Sequence, residues 1–140
     1  MKNKIRVDKN ALNYFRRLAR NEPREIQAFL AGNVISPELT VIKNFYYTKE
    51  YADQTTEMVR WWAEDFERVQ KNAEENGLRI VGDLHSHPSW DAVLSPDDYR
   101  GLIESGFRIS GICSVMNNRT RVRFWIAESA LPCSIEYAEG

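Results

Sequence analysis

The only two histidines of the chain stand as His85-Ser86-His87, with Pro88 directly after them. In a β-strand, residues i and i+2 point to the same face, which sets their Cβ atoms roughly 6.5–7 Å apart. Two imidazoles at that spacing can converge on one Zn²⁺, whose bonds to nitrogen are about 2.0–2.1 Å. Pro88 stops the strand and so puts the pair at a sheet end, where sites are commonly built. By itself HxH is also what two surface histidines without a role look like, so a third ligand decides the matter. Asp83 shares the strand face but sits further down, better placed to brace a histidine than to bind metal. Asp91 falls on the following loop. Asp97 and Asp98 fall in a first helical turn, which can present one carboxylate back towards the strand end. Periodicity does not choose among them.

The elements that must position these groups follow from the pattern of the chain. Lys4 to Val7 reads as a first strand, and Asp8 caps a helix whose apolar positions are Ala11, Leu12, Phe15, Leu18 and Ala19. Pro23 ends that region. Glu25 to Ala31 reads as a buried strand, Gly32-Asn33 as a turn, and Leu39 to Tyr47 as the partner strand of a hairpin. Thr56 to Asn76 is the longest helix, with Val59, Trp62, Phe66, Val69 and Ala73 on one stripe and Gly77 as its stop. Leu78 to His87 is the strand that carries the histidines. After a loop from Pro88 to Leu94, Ser95-Pro96-Asp97-Asp98 starts a helix with a capping Ser, Pro at N1 and acids in the first turn. Taken alone, Ser95 and Asp98 are a pair of capping groups. Strands from Arg108 to Met116 and Arg121 to Ala127 enclose an Asn117-Asn118-Arg119 turn, and Cys133 to Tyr137 reads as a last strand. The fold expected is α+β, a mixed central sheet flanked by helices.

Bulk properties bound the function. A length of 140 residues fits a single domain spanning 1–140. Apolar residues at 43% and charged residues at 28% are the balance of a soluble globular protein. A formal net charge of -1 gives no broad field for nucleic acid or an anionic membrane. No segment has the apolar core of a signal peptide or the ~20 apolar residues of a bilayer span, and a cytoplasmic location is expected. Cys113 and Cys133 form neither a CxxC nor a set of four, so reduced, packed thiols are expected, a single disulfide being the alternative. Trp61-Trp62 reads as packing, and Trp90 as either a groove lining or a loop cap. Arg119, Arg121 and Arg123 read as a solvated basic face.

Read together, His85-Ser86-His87-Pro88, six residues, Ser95, two residues and Asp98 resemble the JAMM motif of MPN-domain metalloproteases, H-[ST]-H-P-x6-S-x2-D. Every fixed position is matched. Glu25-Ile26-Gln27-Ala28-Phe29-Leu30-Ala31-Gly32 is similar to the family's upstream E-x-C-G-x-L-x-G and keeps Glu25, Leu30 and Gly32. Gln27-Ala28 replaces the frequent Cys-Gly, and Asp83 the frequent aromatic ahead of the histidines. The order of elements resembles the family across nearly the whole chain. The resemblance implies a three-layer, cytidine-deaminase-like arrangement with one Zn²⁺ per chain on His85, His87 and Asp98. It also implies Glu25 as general base and Ser95 as a donor to the oxyanion.

The chemistry is coherent with that assignment. Two neutral histidines and one carboxylate leave a fourth zinc position for water, as in catalytic rather than structural sites. Zinc lowers the pKa of such a water to near 7. Glu25 would carry its proton to the leaving amine, although without the downstream motif it reads as a solvent-facing acid. Ser95 as an oxyanion donor is worth ~2.7–4 kcal/mol, and that role competes with its helix cap. Metallo-β-lactamase-like sites and amidohydrolase barrels also begin with HxH, but they need further histidines, and a barrel needs about 250 residues. Fe²⁺ or Co²⁺ suits the same ligands. The activity expected is that of a zinc-dependent isopeptidase or peptidase acting on a protein or peptide, such as a ubiquitin-like or sulfur-carrier tail. A phage tail-assembly-type endopeptidase and a catalytically silent MPN scaffold are the alternatives. The lack of long insertions points to a bare prokaryotic-type form.

Overall fold

The computed structural model describes residues 3–23, 25–47, 56–88, 96–127 and 132–138, with the side chains of 56–65, 97, 98 and 101 outside that description. In chain order the elements are β1 (Lys4–Asp8), α1 (Lys9–Asn21), β2 (Gln27–Ser36), β3 (Leu39–Tyr47) and α2 (Thr56–Glu75). Then come β4 (Arg79–Pro88), α3 (Pro96–Ser105), β5 (Ile109–Met116), β6 (Arg119–Ile126) and β7 (Ser134–Ala138). Asp8 caps α1 as its type and position require, its carboxylate accepting from the Ala11 N–H at 2.9 Å. α2 ends in a Schellman motif: Gly77 takes φ 72, Leu78 N–H donates to the Ala73 carbonyl at 2.9 Å, and Gly77 N–H to that of Glu74 at 3.0 Å. Leu78 then packs on Ala73 and Ala31, the apolar contact that usually accompanies this cap.

The strands form one mixed sheet in the order β6-β5-β4-β2-β3-β1-β7. On one face, Leu12, Phe15 and Ala19 of α1 pack against Ile5, Val7, Leu30, Leu84, Ile109 and Phe124. On the other, Val69 of α2 and Leu102 of α3 cover Phe29 and Phe107. Phe29, Phe66 and Phe107 meet there with ring centroids 5.4–6.2 Å apart. This is an α+β, three-layer arrangement. Each large apolar side chain so enclosed contributes roughly 1.5–3 kcal/mol relative to exposure, which is what holds the helices on the sheet.

The turn expected at Gly32-Asn33 does not exist. β2 runs straight through both residues to Ser36, and the hairpin turns at Pro37-Glu38. Gly32 is needed for a different reason: its register against β3 and that of Ala31 against β4 both shift by one residue at this level. Lys43 on β3 and Val81 on β4 are the extra residues, a β-bulge on each side of β2. A smaller correction concerns the β5–β6 hairpin. Asn117 (φ 51) and Asn118 (φ 61) make the turn alone, as a two-residue left-handed loop, and Arg119 already belongs to β6.

Both cysteines are free thiols. Burial raises each to about 11, only partly opposed by Arg16 and Arg20 near Cys113 and by Arg108 near Cys133. They are packing residues rather than nucleophiles. Among the described residues no helix is long and apolar enough to cross a membrane.

Candidate metal centre

β4 delivers the histidines. The bulge at Val81 reverses the alternation, so Val81 joins the α1 side while Ile80 packs on the α2 side. Beyond it, Leu84 faces α1, leaving Asp83, His85 and His87 on the face covered by α2 and α3. His85 and His87 are buried, at 8% and 1% exposure, and their Nε2 atoms lie 3.2 Å apart. Two nitrogens bound to one tetrahedral zinc at 2.0–2.1 Å would stand roughly 3.3–3.4 Å apart. The imidazole pair is thus within about 0.2 Å of the spacing around one shared cation, which is also the distance of the hydrogen bond between the two rings.

Asp83 braces the pair from below. Its carboxylate accepts from Ser110 Oγ at 2.8 Å and from Gln27 Nε2 at 3.2 Å, and its Oδ2 lies 3.9 Å from His85 Nδ1. Held on two sides, the carboxylate keeps its negative charge close to the Nδ1 side of the His85 ring. Removing its charge with Asp83→Asn is expected to weaken zinc affinity about 10–100-fold while the fold survives. Competition with a fluorescent chelator measures this, and unchanged affinity would mean that Asp83 does not act through His85.

Glu25 adjoins the β2–β4 junction. Gln27 pairs with His85. One step on, Ile26 N–H donates to Ser86 Oγ at 2.9 Å, and Ser86 N–H donates to the Ile26 carbonyl at the same distance. An antiparallel register continued two residues beyond the last strand pair would put Glu25 opposite His87, on the face of Gln27. Glu25 itself lies just ahead of β2 and is half-buried.

α3 is the crossover between parallel strands β4 and β5, whose registers match Gly82 to Ile109 and Pro88 to Val115. The chain leaves β4 at the histidine end and re-enters at the other, so α3 runs back along the sheet with its first turn at the histidine end. Asp98 lies in that turn, four residues ahead of the buried Leu102. Its side chain, and Ser95, Trp90 and Asp91 altogether, lie outside the described residues. Among the described residues no group of three or more His, Cys, Asp or Glu gathers as a metal site. What the structure brings together is thus His85, His87 and Asp83, with Glu25 just ahead of β2 and Asp98 in the first turn of α3. Sequence reasoning missed Ser86, Gln27 and Ser110 as supporting groups. Strand alternation could have separated Ser86 from its histidine neighbours, but not named its partner.

A comparison with curated proteins returned no match. Among solved structures the chain is similar to a protein of Desulfitobacterium hafniense, with 18% identity, TM-score 0.70 and coverage of 97% of this chain and 94% of that one. It is also similar to a JAB1/MPN domain protein from Archaeoglobus fulgidus, at 15% identity and TM-score 0.63, covering 96% and 99%. A protein from Salinibacter ruber matches at 20% identity and TM-score 0.64, covering 96% and 91%. These likenesses concern the fold. The sequence itself matches the family of prokaryotic homologues of the JAB domain over residues 9–127, and the chain belongs to that family.

Proposed function

We propose that the protein is a zinc-dependent amide hydrolase, an isopeptidase or peptidase, with His85, His87 and Asp98 holding one metal ion. The observation that carries this reading is the 3.2 Å between the two Nε2 atoms, a separation suited to a single tetrahedral cation. Membership of the JAB family supports it. Zinc held there supplies Lewis acidity, polarising an amide carbonyl and bringing the ionisation of water close to neutral pH. The chain's own groups do the rest. Glu25 takes a proton from the attacking water and returns it to the leaving amine. The Ser95 hydroxyl donates to the carbonyl oxygen as that atom gains charge. Asp83 keeps the His85 ring from turning, and the burial of both rings excludes competing solvent. The substrate is a protein or peptide, and an extended ubiquitin-like or sulfur-carrier tail in the cytoplasm is the form we favour.

The test is metal content together with hydrolysis. Purified from zinc-supplemented medium, the protein is expected to carry about one zinc per chain, and His87→Ala to carry under about a tenth of that. Mass spectrometry of a panel of ubiquitin-like fusions and peptides then identifies the bond cut. A native protein that takes up no zinc and cuts nothing would favour a partner-binding scaffold instead.

A further inference from the structure

The three arginines of β6 stand on the same face of the sheet as the histidines. Reading across the strands, His87 pairs with Ser114 and Ser114 with Arg121, while His85 pairs with Ile112 and Ile112 with Arg123. Directly paired residues share a face, and two strand spacings separate β4 from β6, so Arg121 lies about 9.5 Å from His87 across the sheet. Arg119 continues the row towards the hairpin tip. Arg119 and Arg121 are exposed and Arg123 is half-buried. The alternate residues Val122, Phe124 and Ile126 are buried against α1. The row is therefore fixed by packing on its other side.

Charges on an edge strand ordinarily serve to block pairing with a second sheet. The opposite edge of this sheet shows how basic residues look when they are internally balanced: Lys4 and Arg6 of β1 both pair with Glu136 of β7, at 3.5 and 3.4 Å. Among the described residues, Arg119, Arg121 and Arg123 have no such carboxylate. The edge beside them is covered at Trp125 and Phe124 by Pro132 and Cys133, and no other described strand pairs with it. Cys133 N–H donates to the Phe124 carbonyl at 2.8 Å, which fixes that carbonyl as pointing away from β5. By alternation, the backbone groups of Val122 and Thr120 point the same way, and no described segment pairs with them.

We infer that β6 is a docking edge for an acidic, extended segment of the substrate polypeptide, with acids at alternate positions facing Arg119, Arg121 and Arg123. The guanidinium stems recur every two residues, about 6.8 Å, the repeat of alternate side chains in an extended chain. Main-chain bonds to the edge supply affinity, and the arginine row selects charge, since opposite charges across strands attract and like charges repel. A segment added beside β6 lies three strand spacings, about 14 Å, from the histidine strand, so at least about four extended residues separate the acids from the scissile bond. The inference rests on the amide-hydrolase reading for the word substrate, but not for the binding itself. The same row would reject a basic tail.

Binding is measured by anisotropy on the intact protein, with and without zinc, using a labelled twelve-residue peptide with Glu at alternate positions. The same peptide with Lys in those places and an oligothymidylate are the comparators. The expected result is that only the acidic peptide binds, that salt weakens it, and that Arg121→Glu/Arg123→Glu lowers affinity at least about tenfold. Arg121→Gln/Arg123→Gln should fall between, and Arg17→Glu on α1 should change nothing. Equal binding of the Glu and Lys peptides, tighter binding of the oligonucleotide, or unchanged affinity in the double variant would each overturn the inference. So would self-association of the double variant without loss of peptide binding, since the arginines would then be edge guards. If the acidic peptide binds but is never cut, when fused to any tail, the hydrolase reading fails and the docking edge stands.

Discussion

On the proposed mechanism, Glu25→Gln is expected to lower kcat by about 10²–10⁴-fold, the usual contribution of a positioned general base, while zinc content and KM stay close to those of the native protein. Gln has the shape and hydrogen-bonding reach of Glu but cannot accept a proton, so the loss should fall on chemistry rather than on binding. The prediction is specific because the Ile26–Ser86 pair of hydrogen bonds holds the backbone next to Glu25 whichever side chain stands there. A substitution that merely disturbed the strand would reduce zinc binding and stability as well. Elemental analysis, a thermal melt and single-turnover hydrolysis therefore separate the cases. Near-native turnover in Glu25→Gln would remove Glu25 from the mechanism.

Gly32→Ala is expected to destabilise the protein by about 3 kcal/mol or more and to lower Tm by about 10 °C. A Cβ at this position would stand 1.7 Å from the Val41 carbonyl oxygen and 2.8 Å from its carbon. These are backbone atoms of the paired strand, so no rotamer change relieves the overlap. Relief requires β3 to move away at the level of its bulge. Gly77 provides the contrast: it has φ +72 but nothing within 4 Å of an added Cβ, so Gly77→Ala should cost only about 1 kcal/mol, the penalty of the left-handed conformation. Urea unfolding of the two variants side by side decides whether space or backbone angle is the larger constraint. Equal losses would mean that β3 yields easily.

Much of the fold could be read from residue pattern. Asp8, Gly77 and Pro96 mark helix ends through local chemistry, and the structure has helix ends where those residues put them. Gly32 shows where local reading stops. A glycine followed by asparagine has the chemistry of a turn, but here the glycine admits a close neighbouring strand, and that requirement comes from residues 41 and 42 rather than 31 and 33. The bulge at Val81 is equally silent in the sequence. Simple alternation puts Val81 on the face of His85 and His87, whereas the structure sends it to the opposite side. The histidine pair was legible because both partners lie within three residues. Gln27, Ser86 and Ser110 were not, because their contacts join β2, β4 and β5. The three arginines were legible as a cluster but not as neighbours of the site, since that follows only from strand order.

The hydroxyl of Ser86 and the main chain of Ile26 have a consequence for the order of assembly. Neither group gains or loses a proton anywhere near neutrality, and neither is a metal donor. The join next to Glu25 therefore needs no ion to hold it. On the proposed reading, loading would be a late event on a finished scaffold, with little reorganisation left for the cation to drive. A protein made when zinc is scarce would wait, folded and intact, and become competent as soon as supply returns.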